Sequence, residues 1–200
     1  MAKLNSEKRR PKQEVKLNIQ LNEEQKAVVT SYYSNDIIYI NGDYGTGKTA
    51  LSVYIALKSF FAREIDKIVI TKPILKSRIN ILGSVPGDLE EKMDVHVAHI
   101  KQCMYDISGR EKIDKMIDEG DIQIVDINLI KGYTFGSTEN TLIIVDEYQD
   151  MFYEDKRTIL TRTGANCKII FTGSVEQIDR SINGKSCIHR VVDAKHFQVD

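Results

Sequence analysis

Five short apolar runs punctuate the chain, Ile37 to Ile40, Ile68 to Ile70, Ile122 to Val125, Leu142 to Val145 and Ile169 to Phe171. Most are rich in β-branched side chains, which suit a pleated and packed surface, and each is read as a strand buried on both faces. Between them lie stretches with apolar residues at helical spacing: Lys48 to Phe61, Leu89 to Ile107, Lys112 to Ile117 and Asp155 to Leu160. A further helix runs from Leu21 to about Tyr33, with Asn22 placed to cap it and Gln25 placed three residues later to return a bond to the cap backbone. Strand alternating with helix requires crossover connections, so the expected fold is α/β, a mostly parallel sheet sandwiched by helices. His196 to Val199 offers one more strand.

The turn after the first strand carries the most specific chemistry. Gly42-Asp43-Tyr44-Gly45-Thr46-Gly47-Lys48-Thr49 fits G-x-x-x-x-G-K-[ST], directly after a strand and directly before a helix. Glycines let such a loop wrap until successive backbone N–H groups point inward at phosphates, and the helix N-terminus adds partial positive charge. Gly42, Gly45, Thr46 and Gly47 therefore shape a nucleotide-phosphate cradle, Lys48 reaches the terminal phosphates, and the Thr49 hydroxyl is a ligand for Mg²⁺. Asp43 is expected to turn its side chain away from the phosphates. The fourth apolar run ends in Asp146 and Glu147, at the strand edge where open parallel sheets bind ligands. Asp146 suits Mg²⁺, directly or through water, and Glu147 is placed to orient and deprotonate an attacking water. One strand later, Gln177 sits in a polar turn at the same edge, either contacting the γ-phosphate or its water, or belonging to a plain polar loop.

Composition narrows the class. At 200 residues, 42% apolar and 28% charged, the chain suits one packed domain, residues 21 to 200. Residues 1 to 20 read as a flexible tail, with Lys3, Lys8, Arg9, Arg10, Lys12 and Lys16 against two glutamates. Such a tail is either a solvated arm or a source of sequence-independent attraction to phosphate backbones. A net charge of −1 supplies no global basic field, so any nucleic-acid contact is local. Cys103, Cys167 and Cys187 are odd in number and lack a CxxC pair, which points to reduced thiols in the cytoplasm. No apolar run is long enough to cross a bilayer. His96 and His99 stand three apart on a helix without a third ligand, so they are read as core or surface residues. Met93 and Met104 are read as core packing.

The chain resembles the PhoH-like ATPases, relatives of the first RecA-like motor domain of superfamily-one helicases, from about Leu21 to Asp193. The resemblance is carried by Gly45-Thr46-Gly47-Lys48-Thr49, Thr71-Lys72-Pro73, Leu82-Gly83, Pro86-Gly87-Asp88-Leu89-Glu90-Glu91-Lys92, Val145-Asp146-Glu147, Leu160-Thr161-Arg162, Thr172-Gly173 and Gln177-Ile178-Asp179. It implies ATP binding and hydrolysis with Mg²⁺, and a base-sensing role for Gln25. It also implies nucleic-acid backbone contacts for Lys72, Lys76 and Arg78, whose alternative is solvated charge on a loop. Arg162 resembles an arginine that approaches a γ-phosphate, in this or a neighbouring subunit; its alternative is a salt bridge. The chain departs from the family pattern at Gly173-Ser174, where Gly-Asp is usual.

Helicases of the related kind bind ATP between two such domains, and an arginine finger is worth about 10³–10⁵ in rate. One domain alone implies a homo-oligomer, with a hexameric ring as the expected form and sites at subunit interfaces. The function expected is an ATPase acting on RNA or single-stranded DNA; the alternative is a nucleotide-gated binding or regulatory module. No arginine-rich lid of a nucleotide kinase and no Asn-Lys-x-Asp motif of a GTPase occurs.

Overall fold

The computed structural model describes residues 21–73 and 89–174, the side chains of 89–96 excepted. Helix α1 (Glu23–Ser34) opens with the expected capping box: the Gln25 N–H donates to Asn22 Oδ1, and the Asn22 N–H donates to Gln25 Oε1. Strand β1 (Ile37–Asn41) leads through the glycine loop into α2 (Lys48–Phe61), followed by β2 (Lys67–Thr71). After residue 88 come α3 (Leu89–Ser108), α4 (Arg110–Asp118), β3 (Ile122–Ile124), β4 (Thr141–Asp146), α5 (Tyr153–Thr161) and β5 (Cys167–Gly173).

All five strands are parallel and stand in the order β1-β5-β4-β2-β3. The strand that feeds the glycine loop is thus separated from the acid-bearing strand β4 by β5 alone. Because side chains alternate across a strand, the sheet divides its apolar residues between two cores. Ile38, Ile40, Ile68, Ile70, Leu142, Ile144 and Ile170 pack with α2, α3 and α4 on one face. Val69, Ile143, Val145, Ile169 and Phe171 pack on the other with Ile127, Ile130, Met151 and Ile159.

Burial on both faces holds for β4, whose six residues are all buried, and for most of β2 and β5. It fails for β1, where Ile38 and Ile40 are buried while Ile37, Tyr39 and Asn41 are exposed. The cause is position: β1 is an edge of the described sheet, and the second core reaches it through Tyr39, stacked on Phe171 with ring centroids 4.7 Å apart and set edge-on to Tyr148. Only the first residue of β3, the other edge, is fully buried.

Met104 is fully buried, as expected, and Cys103 and Cys167 are free thiols. Gln177, Lys76, Arg78, Cys187, the basic tail, the 196–199 strand and the side chains of His96 and Met93 lie outside the described residues. Among the described residues no helix is long and apolar enough to cross a membrane.

Candidate active site

Gly45 and Gly47 adopt φ of +78° and +81°, the left-handed backbone that lets the loop reverse direction and start α2. Thr46 Oγ1 donates to the Asp43 carbonyl at 2.8 Å, closing the turn from inside. Lys48 Nζ donates to the Gly42 and Asp43 carbonyls, both at 2.7 Å, so its charge is held within the cradle that phosphates would fill. A Cβ on Gly42 would stand 3.1 Å from Thr46 Oγ1, which accounts for glycine there. Beside this loop a cleft of roughly 280 Å³ opens towards α1, with apolar walls from Val28, Ile40 and Leu51 and polar groups from Asn22 and Gln25.

Parallel pairing of β4 with β5 brings Asp146 opposite Thr172, and the sheet order places both beside the start of α2. Asp146 Oδ1 accepts from Thr172 Oγ1 at 2.6 Å and from Thr49 Oγ1 at 3.2 Å, the latter across 97 positions of sequence. The other oxygen, Oδ2, lies 2.7 Å from His99 Nε2 and 3.9 Å from Lys72 Nζ. Burial alone would raise the carboxyl pKa; the hydrogen bonds from His99 and Thr172 and the charge of Lys72 outweigh it and hold the group below its ordinary value. Since an ionised carboxylate only accepts, the proton of the His99 contact sits on Nε2. The donor set fits a divalent cation: a hydroxyl and a carboxylate oxygen, both hard, converge beside a phosphate-shaped loop.

Glu147 follows in the left-handed region, φ 54° and ψ 44°, a conformation costly for a residue with a Cβ and found where surroundings enforce it. Its Oε2 accepts from Gln149 Nε2 at 2.5 Å, and Gln149 Oε1 in turn accepts from the backbone N–H of Ser174 at 3.1 Å.

Comparison with known proteins places the chain in a family. The family model described as PhoH-like protein matches residues 19–198. The chain belongs to the PhoH-like family. It is 32% identical to a PhoH-like protein of Bacillus subtilis over 78% of this chain and 47% of that one. Against a PhoH-like protein of Mycobacterium leprae it is 31% identical over 84% of this chain and 47% of the relative. Protein PhoH of Escherichia coli K12 is 28% identical over 79% and 44%. The chain therefore spans about half the length of these relatives. A crystal structure of Pif1 helicase from Candida albicans covers 78% of the chain and 32% of its own, with a TM-score of 0.35 and 16% identity. The fold itself is α/β, an all-parallel five-stranded sheet packed against helices, as the sequence implied.

Placed in this PhoH-like fold, the anticipated residues divide into three groups. Gly42, Gly45, Thr46, Gly47, Lys48, Thr49, Asp146 and Glu147 converge at the sheet edge. Gln25 joins them by donating from Nε2 to the Thr46 carbonyl at 3.4 Å, so one amide caps α1 and touches the phosphate loop. Arg162 caps α5, exposed and without an ion pair among the described residues; its carbonyl accepts from the Phe135 N–H at 2.8 Å.

Two side chains make contacts that the sequence did not specify. Lys72, expected at a nucleic-acid backbone, has a side chain only 13% exposed and faces Asp146. His99, read as a core or surface residue, is an exposed residue of α3, and its Nε2 also lies 2.7 Å from Asp146 Oδ2. Gln149 was missed altogether. The signal available was a glutamine two residues beyond the acid pair, but nothing local says that the turn folds its amide back onto Glu147.

Proposed function

We propose that this chain binds ATP with Mg²⁺ and hydrolyses the β–γ phosphoanhydride, and that it does so as an oligomer acting on RNA or single-stranded DNA. The observation that carries the hydrolytic assignment is the 3.2 Å contact between Thr49 of the phosphate loop and Asp146 of β4, with Glu147 as the next residue.

The adenosine would occupy the cleft beside α1, its base between Val28 and Leu51 and its polar edge near Gln25. Lys48 would leave the Gly42 and Asp43 carbonyls for the terminal phosphates, exchanging two neutral acceptors for charged ones. Thr49 and Asp146 would hold Mg²⁺, which when bound neutralises charge on the phosphate oxygens. Glu147 accepts the proton of a water whose oxygen forms the new bond to the γ-phosphorus, while the bond to the bridging oxygen breaks and ADP departs. Because Oε2 is engaged by Gln149, Oε1 is the atom free to take that proton.

Oligomerisation is supported by Arg162, whose exposed position suits a charge offered to a neighbouring copy's nucleotide. With Lys72 committed to Asp146, the proposed contacts to RNA or single-stranded DNA rest on Lys76 and Arg78.

The test is ATP turnover by purified protein with and without single-stranded RNA and DNA, with Lys48→Ala and Glu147→Gln as controls and mass photometry for assembly. Turnover that rises with nucleic acid and vanishes in both variants supports the proposal. ATP binding with flat turnover under every condition would replace it with a nucleotide-gated module.

A further inference from the structure

Asp146 is held from four elements at once, and the contact from α3 differs in kind from the others. Thr172 is the cross-strand neighbour, Thr49 lies in the first turn of α2 after the phosphate loop, and Lys72 directly follows β2. All three lie on the sheet, at its end, or on α2. His99 comes from mid-α3, and its side chain is 45% exposed while the carboxylate it meets is 3% exposed. The packing of α3 is carried by others: Val97, Ile100 and Met104 are each fully buried in the first core. A half-exposed ring adds little to that core, so its defined relation is the hydrogen bond to Oδ2.

That bond determines what the carboxylate can offer. An ionised carboxylate has about four lone-pair sites on two oxygens. Thr172 occupies one on Oδ1 and His99 one on Oδ2, and two donors on opposite oxygens fix the plane of the group. The remaining side of Oδ1 faces Thr49. Without His99, Oδ2 keeps only Lys72 at 3.9 Å among the described residues, too long for a directional bond. The carboxylate would then be held through Oδ1 alone, by Thr172 and Thr49, and with Oδ2 unrestrained it could tilt about its Cβ–Cγ axis from the geometry that presents Oδ1 beside the Thr49 hydroxyl.

We infer that His99 is the positioning residue of the cation site: its Nε2–H pins Asp146 Oδ2 so that Oδ1 is presented with Thr49 to the divalent cation that accompanies the nucleotide. This rests on the proposed function. Partners that orient metal ligands through such outer bonds typically contribute 10–100-fold in metal affinity.

The experiment counts bound cation directly. Mn²⁺, which favours the same oxygen donors, is titrated into protein with ADP and followed by the loss of the free-ion signal in electron paramagnetic resonance. The proteins are the unaltered chain, His99→Ala, His99→Gln and Gln102→Ala, a neighbouring substitution on α3. ADP affinity in EDTA is measured alongside. Expected is about tenfold weaker Mn²⁺ binding in His99→Ala, unchanged ADP affinity in EDTA, and recovery in His99→Gln, whose amide Nε2–H donates as the ring does. Gln102→Ala should match the unaltered chain. If His99→Ala lowers the unfolding midpoint, His99→Leu, which keeps bulk and removes the donor, is read in its place.

Unchanged Mn²⁺ affinity without the donor overturns the inference. So does a failure of glutamine to restore what the donor-less variant loses, which would make the imidazole a ligand rather than a clamp. If the unaltered chain binds no Mn²⁺ with ADP, the proposed function falls and takes this inference with it.

Discussion

The two halves of the site are built in opposite ways. The phosphate loop is a single stretch of eight residues, mostly exposed, whose shape follows from its own glycines and from bonds between near neighbours such as Thr46 to Asp43. The acid half is buried and assembled from α2, α3, β4, β5 and the residue after β2, so Asp146 owes its state to residues up to 97 positions away. A local motif can be changed with local consequences. A buried junction transmits any change to several elements.

The largest expected effects follow from chemistry on the two halves. Glu147→Gln should cut ATP turnover by about 10²–10⁴-fold, the usual worth of a positioned general base, while nucleotide binding survives. Lys48→Ala should weaken binding itself, because it removes the loop's cation. Turnover and equilibrium binding of a fluorescent ATP analogue separate the two. If Glu147→Gln lost binding and turnover together, the glutamate would be holding the site's shape, and the division between halves would fail.

Legibility in the sequence follows the same division. The glycine loop could be read residue by residue, because its spacing encodes its geometry. The strands were equally clear in β2, β4 and β5, whose apolar runs have no polar face to hide. β1 misled because Ile37 and Tyr39 look like core residues, although an edge position exposes them at 42% and 41%. The contacts of His99, Lys72 and Gln149 were not legible for one reason: each has a partner that only the tertiary fold supplies. A histidine on a helix gives no sign that its third turn will cross the sheet edge above Asp146.

Next in size come changes to the Gln149 bridge. A Cβ at Gly173 would fall on Gln149 Oε1 and within 2.7 Å of Tyr148 Cδ1, so Gly173→Ala should cost about 1–3 kcal/mol, as overpacking does. Gln149→Ala leaves the buried Ser174 N–H without its acceptor, a penalty of about 1–3 kcal/mol. It also frees Glu147 Oε2, so turnover should fall with it. Denaturant midpoints at constant m-value give the stabilities. Because both substitutions strike the same bridge, the double variant should cost less than their sum.

Smaller still is the pH effect of Asp146. Its pKa lies below the ordinary 3.8 in the folded chain, despite burial, because His99, Thr172 and Lys72 favour the ionised form. A depressed pKa contributes stability that is present above the unfolded value and lost as pH falls through the folded one. Unfolding followed downward from about pH 5 should therefore show stability declining below about pH 4, with a shallower decline in Asp146→Asn. Equal slopes would mean that the buried junction gains nothing from the charge.

The smallest effect belongs to the tip of the phosphate loop, where Tyr44 is 89% exposed. An aromatic side chain in that position has left no water on folding, so Tyr44→Ala should shift stability by no more than about 0.5 kcal/mol, the range of ordinary surface substitutions. Nucleotide affinity should also hold, since the cradle binds through backbone N–H groups and Lys48 rather than through this side chain. The substitution thus removes the largest side chain of the loop and leaves both the cradle's backbone and the junction at Asp146 untouched. A loss above 1 kcal/mol in the free protein would show that the loop depends on contacts beyond its own neighbours, and the contrast between a local half and an assembled half would have to be abandoned.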